Sequence, residues 1–284
     1  VIGTRTIPRV AGESGARDLA IAVGVIVALS RFAPDGFVWP IGVVLLAAVY
    51  LGALQIVGEA DPAGQSAGVP IESVFLPAAA ALAVLGAIRL VPVGIVLAPA
   101  FALAGGLVGL TLVTELRIAR SSGPPSSTDR TAVLIEILIV GFLGFAGVAA
   151  LVPGGLPAPG AGGEVAGGAV PAPLAWVAQA GGDALLAFLL AYRAAALRST
   201  SFRDVAWFAL TGAAVVAIAA VALRSIEIPR ILGPALLVLV FFLWDAIHTG
   251  GRTRRRRDPR RLWETALLAV VGIVVIGWTL GQRG

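Results

Sequence analysis

Apolar residues in this chain are gathered into blocks, separated by short stretches that are polar or broken by Pro and Gly. The blocks run roughly 14 to 22 residues, and about 20 suffice to cross a ~30 Å hydrocarbon core as a helix rising ~1.5 Å per residue. Nine such spans are predicted, over residues 19–32, 37–57, 73–88, 93–113, 131–152, 174–191, 205–223, 231–247 and 262–280. The segments between them suit loops. Residues 58–72 and 117–130 are rich in turn formers, and residues 153–173 are a Gly/Pro/Ala tract too featureless to pack a core. A polar tail, 1–18, precedes the first span, and a short tail, 281–284, follows the last. The predicted fold class is therefore all-α, a polytopic transmembrane helical bundle. Short alternating segments, the mark of a membrane β-barrel, are absent.

The first span is the shortest, and either crosses fully or lies half-inserted at the interface. It has no small-residue cleavage motif and is followed by further spans, so it reads as a membrane helix and not as a removed signal.

Arginine placement orients the bundle. Residues 252–261 read RTRRRRDPRR, and Arg252, Arg254, Arg255, Arg256, Arg257, Arg260 and Arg261 sit between the last two spans. Loops rich in Arg and Lys stay on the cytoplasmic side. With this run inside, alternation puts the N-terminus in the cytoplasm and the C-terminus outside. The predicted inner side then holds 16 of the 21 basic residues, all of them Arg. Indole rings favour membrane interfaces, and all six Trp fall near predicted span ends. The arginine run is expected to contact anionic lipid headgroups. Net charge is +5, but its placement between spans argues for lipid and against nucleic acid.

Spans two to five and six to nine also resemble two copies of one four-helix unit. Trp39 and Trp176 open their first helices, Tyr50 and Tyr192 close them, and Glu136 and Glu264 begin their last. Both copies start on the same side, so the repeat would be parallel, with the first span as an extra helix.

Composition removes several chemistries. The chain is 58% hydrophobic and 13% charged, against about a quarter charged in soluble domains. Cys is absent, which excludes disulfides and thiolate sites. Without Lys no retinal or other Schiff base can form, and a single His with no Met cannot supply paired axial haem ligands. No cofactor is predicted. Missing Lys, Asn and Met fit a GC-rich genome, so the cytoplasmic membrane of such a bacterium is the expected location. No nucleotide-binding, hydrolase or metalloprotease motif occurs, which argues against an enzyme.

The polar residues inside spans are the candidate sites. Asp183 lies near the middle of the sixth span behind Gly181 and Gly182, with Gln179 one turn away. A carboxylate at the bilayer centre costs roughly 2.5–3.5 kcal/mol on insertion scales, so it faces a partner or a wet cavity. Asp183 thus reads as a proton or cation site, or else as a helix-locking or interfacial group. Glu136 joins it as a pathway candidate. Glu115, Asp245, His248 and Glu264 form a predicted inner layer of acids beneath the arginine loops. Inter-loop ion pairs and helix-dipole interactions are the expected roles of that layer. Asp245 and His248 share a helical face, but one His without Cys is a poor metal set.

Two functions follow. One is a membrane-embedded subunit or scaffold that packs against membrane-protein partners or its own copies. The other is a small-solute or ion transporter with Asp183 in its pathway. A lipid-modifying enzyme ranks third.

Overall fold

The computed structural model describes residues 9–59, 71–121, 125–152, 172–199, 201–225 and 232–252, together with Val270, Gly272 and Val274. The described residues form eight α-helices: α1 (Arg9–Ser30), α2 (Asp35–Glu59), α3 (Glu72–Ala87), α4 (Leu97–Arg120), α5 (Ser127–Leu151), α6 (Ala172–Ala196), α7 (Phe202–Ser225) and α8 (Leu232–Arg252). A 3-10 turn, Ile88–Leu90, extends α3.

Six helices are long and apolar enough to cross a membrane: Gly36–Glu59, Glu72–Leu90, Leu97–Arg120, Ser127–Leu151, Leu174–Ala196 and Phe202–Ser225. Within α8 the apolar stretch Leu232–His248 is shorter. The chain is a multi-pass membrane protein.

Against the nine predicted spans, six meet the criteria of length and apolarity. The first does not, because α1 begins at Arg9 and its opening turns carry Glu13, Arg17 and Asp18. Residues 9–18, expected as tail, are thus helical. The predicted ninth span lies outside the described residues apart from Val270, Gly272 and Val274, which are helical. Residues 153–171 of the predicted low-complexity loop and most of 58–72 also lie outside them, while Ala172 and Pro173, expected in that loop, open α6.

Surface and interior are inverted relative to a soluble bundle. Ile21, Val25, Leu103, Leu110 and Ile218 are all more than half exposed, while Glu115, Glu136, Asp183 and Arg193 are buried. Lipid is the solvent that makes this arrangement favourable, since apolar side chains gain nothing by leaving it and charges must find each other inside.

The centre of the bundle is α3, which packs against α2, α4, α5 and α6. Its run Ala78–Ala81 presents only methyl groups in every direction, so four neighbours can approach. In consequence 72% of the α3 span window is buried, against 33% for α2, α6 and α7. Where α3 crosses α5, Gly86 and Gly147 meet backbone to backbone: a Cβ on Gly86 would lie 2.6 Å from Gly147 Cα. Around this core α6 pairs with α7, α1 pairs with α4, and α8 lies against α5 and α7.

Polar ties fasten both ends of the bundle. At one end Arg89, in the 3-10 turn, donates to the carbonyls of Ser30 (3.0 Å) and Ala33 (3.2 Å), capping the exposed carbonyls that end α1. At the opposite end Arg120 of α4 pairs with Glu13 of α1 at 2.9 Å. There, too, α5 starts with a capping box, in which Ser126 and Asp129 satisfy each other's backbone N–H. The box lets α5 begin at Ser127, ahead of its apolar run.

Candidate functional site

Near the middle of 25-residue α6 lies Asp183, with no exposed surface and with neither carboxylate oxygen hydrogen-bonded. Its burial follows from the glycine before it. Gly182 lets α6 settle onto α5 so closely that a Cβ there would be 2.9 Å from Val148 Cγ1. One turn on, Leu186 fills the space over Gly144 of α5. The helix begins at Ala172, so Asp183 lies well inside the helix and not at its start. Gln179, one turn earlier, is engaged elsewhere. Its side-chain oxygen accepts from Arg224 of α7, which also lies 3.5 Å from the carbonyl of Ala175 and 5.9 Å from the Trp176 ring.

Further along α6, and ~15 Å away along its axis, a second polar site joins α4, α5 and α6. Arg193 donates through Nε to Glu115 Oε1 at 2.7 Å and through Nη2 to Oε2 at 2.6 Å. Both side chains are buried, Glu115 completely and Arg193 to within 5%. Such a side-on fork satisfies both carboxylate oxygens at once, which is what a buried ion pair requires. Beside it the Thr114 hydroxyl donates to Glu136 Oε1 at 2.5 Å. Glu136 Oε2 is buried with no partner. Tyr192 packs over this region, edge-on to Phe75 of α3 at 5.0 Å between centroids.

The rest of the predicted acid layer is divided among separate partners. Asp245 of α8 receives a two-point contact from Arg198, at 2.5 and 2.8 Å. His248 Nδ1 lies 3.0 Å from the Trp244 carbonyl, and its ring stacks on Trp244 at 3.4 Å. Asp245 and His248 share a face, as their spacing predicts, yet each is committed to a different group. Glu264 and Arg254, Arg255, Arg256, Arg257, Arg260 and Arg261 lie outside the described residues, and Arg252 is the last residue of α8. Among the described residues no three His, Cys, Asp or Glu are grouped to hold a metal.

A groove of about 580 Å³ runs between α1 and α4, floored by small residues that include Ala16, Ala20, Gly24 and Gly105. Neither Asp183 nor Glu136 lines it.

Sequence reading placed Arg193 in a connecting loop and missed its role. The signal was present: Ala194, Ala195 and Ala196 follow it, so the helix continues past the arginine. Thr114 was likewise overlooked, although it precedes Glu115 directly. Comparison with known protein families, curated proteins and solved structures finds no match for this chain.

Proposed function

We propose that this membrane protein moves a small solute together with, or in exchange for, a proton, and that Asp183 is the group that carries the proton. One observation supports the reading above all: a fully buried carboxyl near the middle of a span, with neither oxygen hydrogen-bonded. An aspartate kept for packing is expected to hydrogen-bond a neighbouring helix, since an unsatisfied polar group there gains the fold nothing. Metal cations such as calcium take six or more oxygen ligands. A lone carboxyl has only two oxygens to give, and a proton is the cation it can bind unaided.

Dicyclohexylcarbodiimide, which reacts with carboxyl groups in apolar surroundings, tests the site directly. Treatment of the purified protein is expected to modify Asp183, as read by peptide mass spectrometry, and Asp183→Asn is expected to remove that adduct. A panel of small solutes screened by thermal stabilisation should contain at least one that stabilises the parent and not the variant. An unmodified Asp183, with identical solute responses in both proteins, refutes the proposal.

The topology that accompanies this reading has nine spans, a cytoplasmic N-terminus and the arginine run on the inner face. Its support is the arginine distribution and the Trp positions. A parallel pair of four-helix units belongs to the same reading.

A scaffold function is the second reading, and close helix packing such as the Gly86–Gly147 contact favours it. It predicts that the protein extracted in mild detergent carries stoichiometric membrane partners, identified by mass spectrometry. Recovery as a partner-free monomer counts against it.

A further inference from the structure

Where α4, α5 and α6 meet, buried acids outnumber buried bases. Glu115 and Glu136 are both carboxylates, and Arg193 is the one buried cation among the described residues. The fork of Arg193 is spent on Glu115, through Nε and Nη2. Glu136 is left with one donor, the Thr114 hydroxyl, and that serves Oε1 only. Its Oε2 is buried without a partner, in a residue just 3% exposed.

The charged groups that bear on Glu136 can be named helix by helix. From α4 come Glu115 and Arg117, and from α6 comes Arg193. From α3, Glu72 adds negative charge near Glu115. On α8 the titratable groups Asp245 and His248 are engaged with Arg198 and with Trp244. Arg117 is exposed and Arg193 is committed to Glu115, so among the described residues no buried donor reaches the nearly sealed Oε2.

We propose that Glu136 Oε2 is the receiving atom of a second proton site. Thr114 orients the carboxyl by holding Oε1. Glu115, with its charge matched by Arg193, sets the electrostatic demand. This site does not depend on Asp183: it shares α5 and α6 with it, but lies ~15 Å further along α6 and is built from a different set of contacts.

Infrared difference spectroscopy of the purified protein reads the site. A pH titration is expected to reveal the carbonyl stretch of a protonated carboxyl that Glu136→Gln abolishes and Asp183→Asn leaves in place. Thr114→Val, which keeps the acid and removes its donor, should shift the midpoint of the titration without removing the band. This variant carries the test if Glu136→Gln fails to fold. The proposal is overturned if Glu136→Gln leaves the infrared band unchanged. It is overturned equally if, with Glu136→Gln unfolded, Thr114→Val leaves the midpoint where it was. Loss of the band in Asp183→Asn alone would assign it to Asp183 and likewise remove Glu136 from the role.

Discussion

Replacing Arg193 with alanine is expected to destabilise the bundle by about 3–5 kcal/mol, the typical cost of leaving one member of a buried ion pair alone. Glu115 has no exposed surface, so once its fork is gone neither water nor lipid headgroups can take over. Both of its oxygens lose a charge-assisted hydrogen bond of 2.6–2.7 Å. Arg193→Lys should be only a partial remedy, because an ammonium cannot reproduce two parallel N–H donors in one plane. The informative control removes both charges. Glu115→Gln combined with Arg193→Met leaves no unpaired ion, and buried pairs replaced by neutral groups of similar volume are often tolerated. The double variant is therefore expected to be more stable than Arg193→Ala. Thermal unfolding of each protein in one detergent, followed by loss of the monodisperse peak on size exclusion, measures the series. If Arg193→Ala melts with the parent, the pair is not a structural element of this bundle.

The helices were legible in the sequence because hydrocarbon imposes a simple rule: apolar runs long enough to span must be helical. Predicted spans 73–88 and 205–223 fall within one to three residues of α3 and α7. Boundaries failed where a helix continues beyond the hydrocarbon, which apolarity cannot register. Thus α4 runs on to Arg120 with Arg117 and Arg120 in its last turn, and α6 runs on through Arg193 to Ala196. At its start α4 begins at Leu97, later than predicted, after Pro92 and Gly94 interrupt the chain. The first span misled for a related reason. Its polar opening turns are helical because they lean on α4, with Glu13 held by Arg120.

Candidate acids could be picked out one at a time, since any charge inside an apolar run is conspicuous. Their partners could not. Whether Glu115 meets Arg117, Arg193 or Arg198 depends on how α4 and α6 are rotated about their axes, and rotation is a tertiary property. The same limit applies to Gln179, which the helical spacing assigns to Asp183 and the packing assigns to Arg224. The acid layer is expected from sequence to pair between loops; Glu115–Arg193 instead joins two helices, and Asp245–Arg198 joins α8 to the turn after α6. For Asp183 the sequence leaves open whether it sits mid-span or at an interface, and the start of α6 at Ala172 puts it near the middle of the helix.

Enlarging Gly147 is expected to have the second large effect, by forcing α3 and α5 apart near their C-terminal ends. A Cβ on Gly147 would stand 2.8 Å from Gly86 Cα and 2.9 Å from Ala87 N. Both are backbone atoms of the most buried helix, so no flexible side chain can swing away to make room. Gly147→Ala should cost about 1–3 kcal/mol, the range for overpacking a close contact, and Gly147→Leu should cost more. Gly86→Ala should behave alike, since its Cβ meets the same crossing from the other side. The double variant should cost less than the two single ones added together, because the first separation of the helices already makes space for the second methyl. Gly106→Ala and Gly181→Ala provide the comparison. Each lies in a helix with nothing within 4 Å of the added carbon. Alanine there restricts the unfolded chain without a clash, so these variants should match or exceed the parent's stability. Melting temperatures of the parent and the six variants in one detergent test the argument. A Gly147→Ala protein as stable as Gly106→Ala would mean that α3 and α5 do not cross in backbone contact, and that small residues elsewhere hold this bundle together.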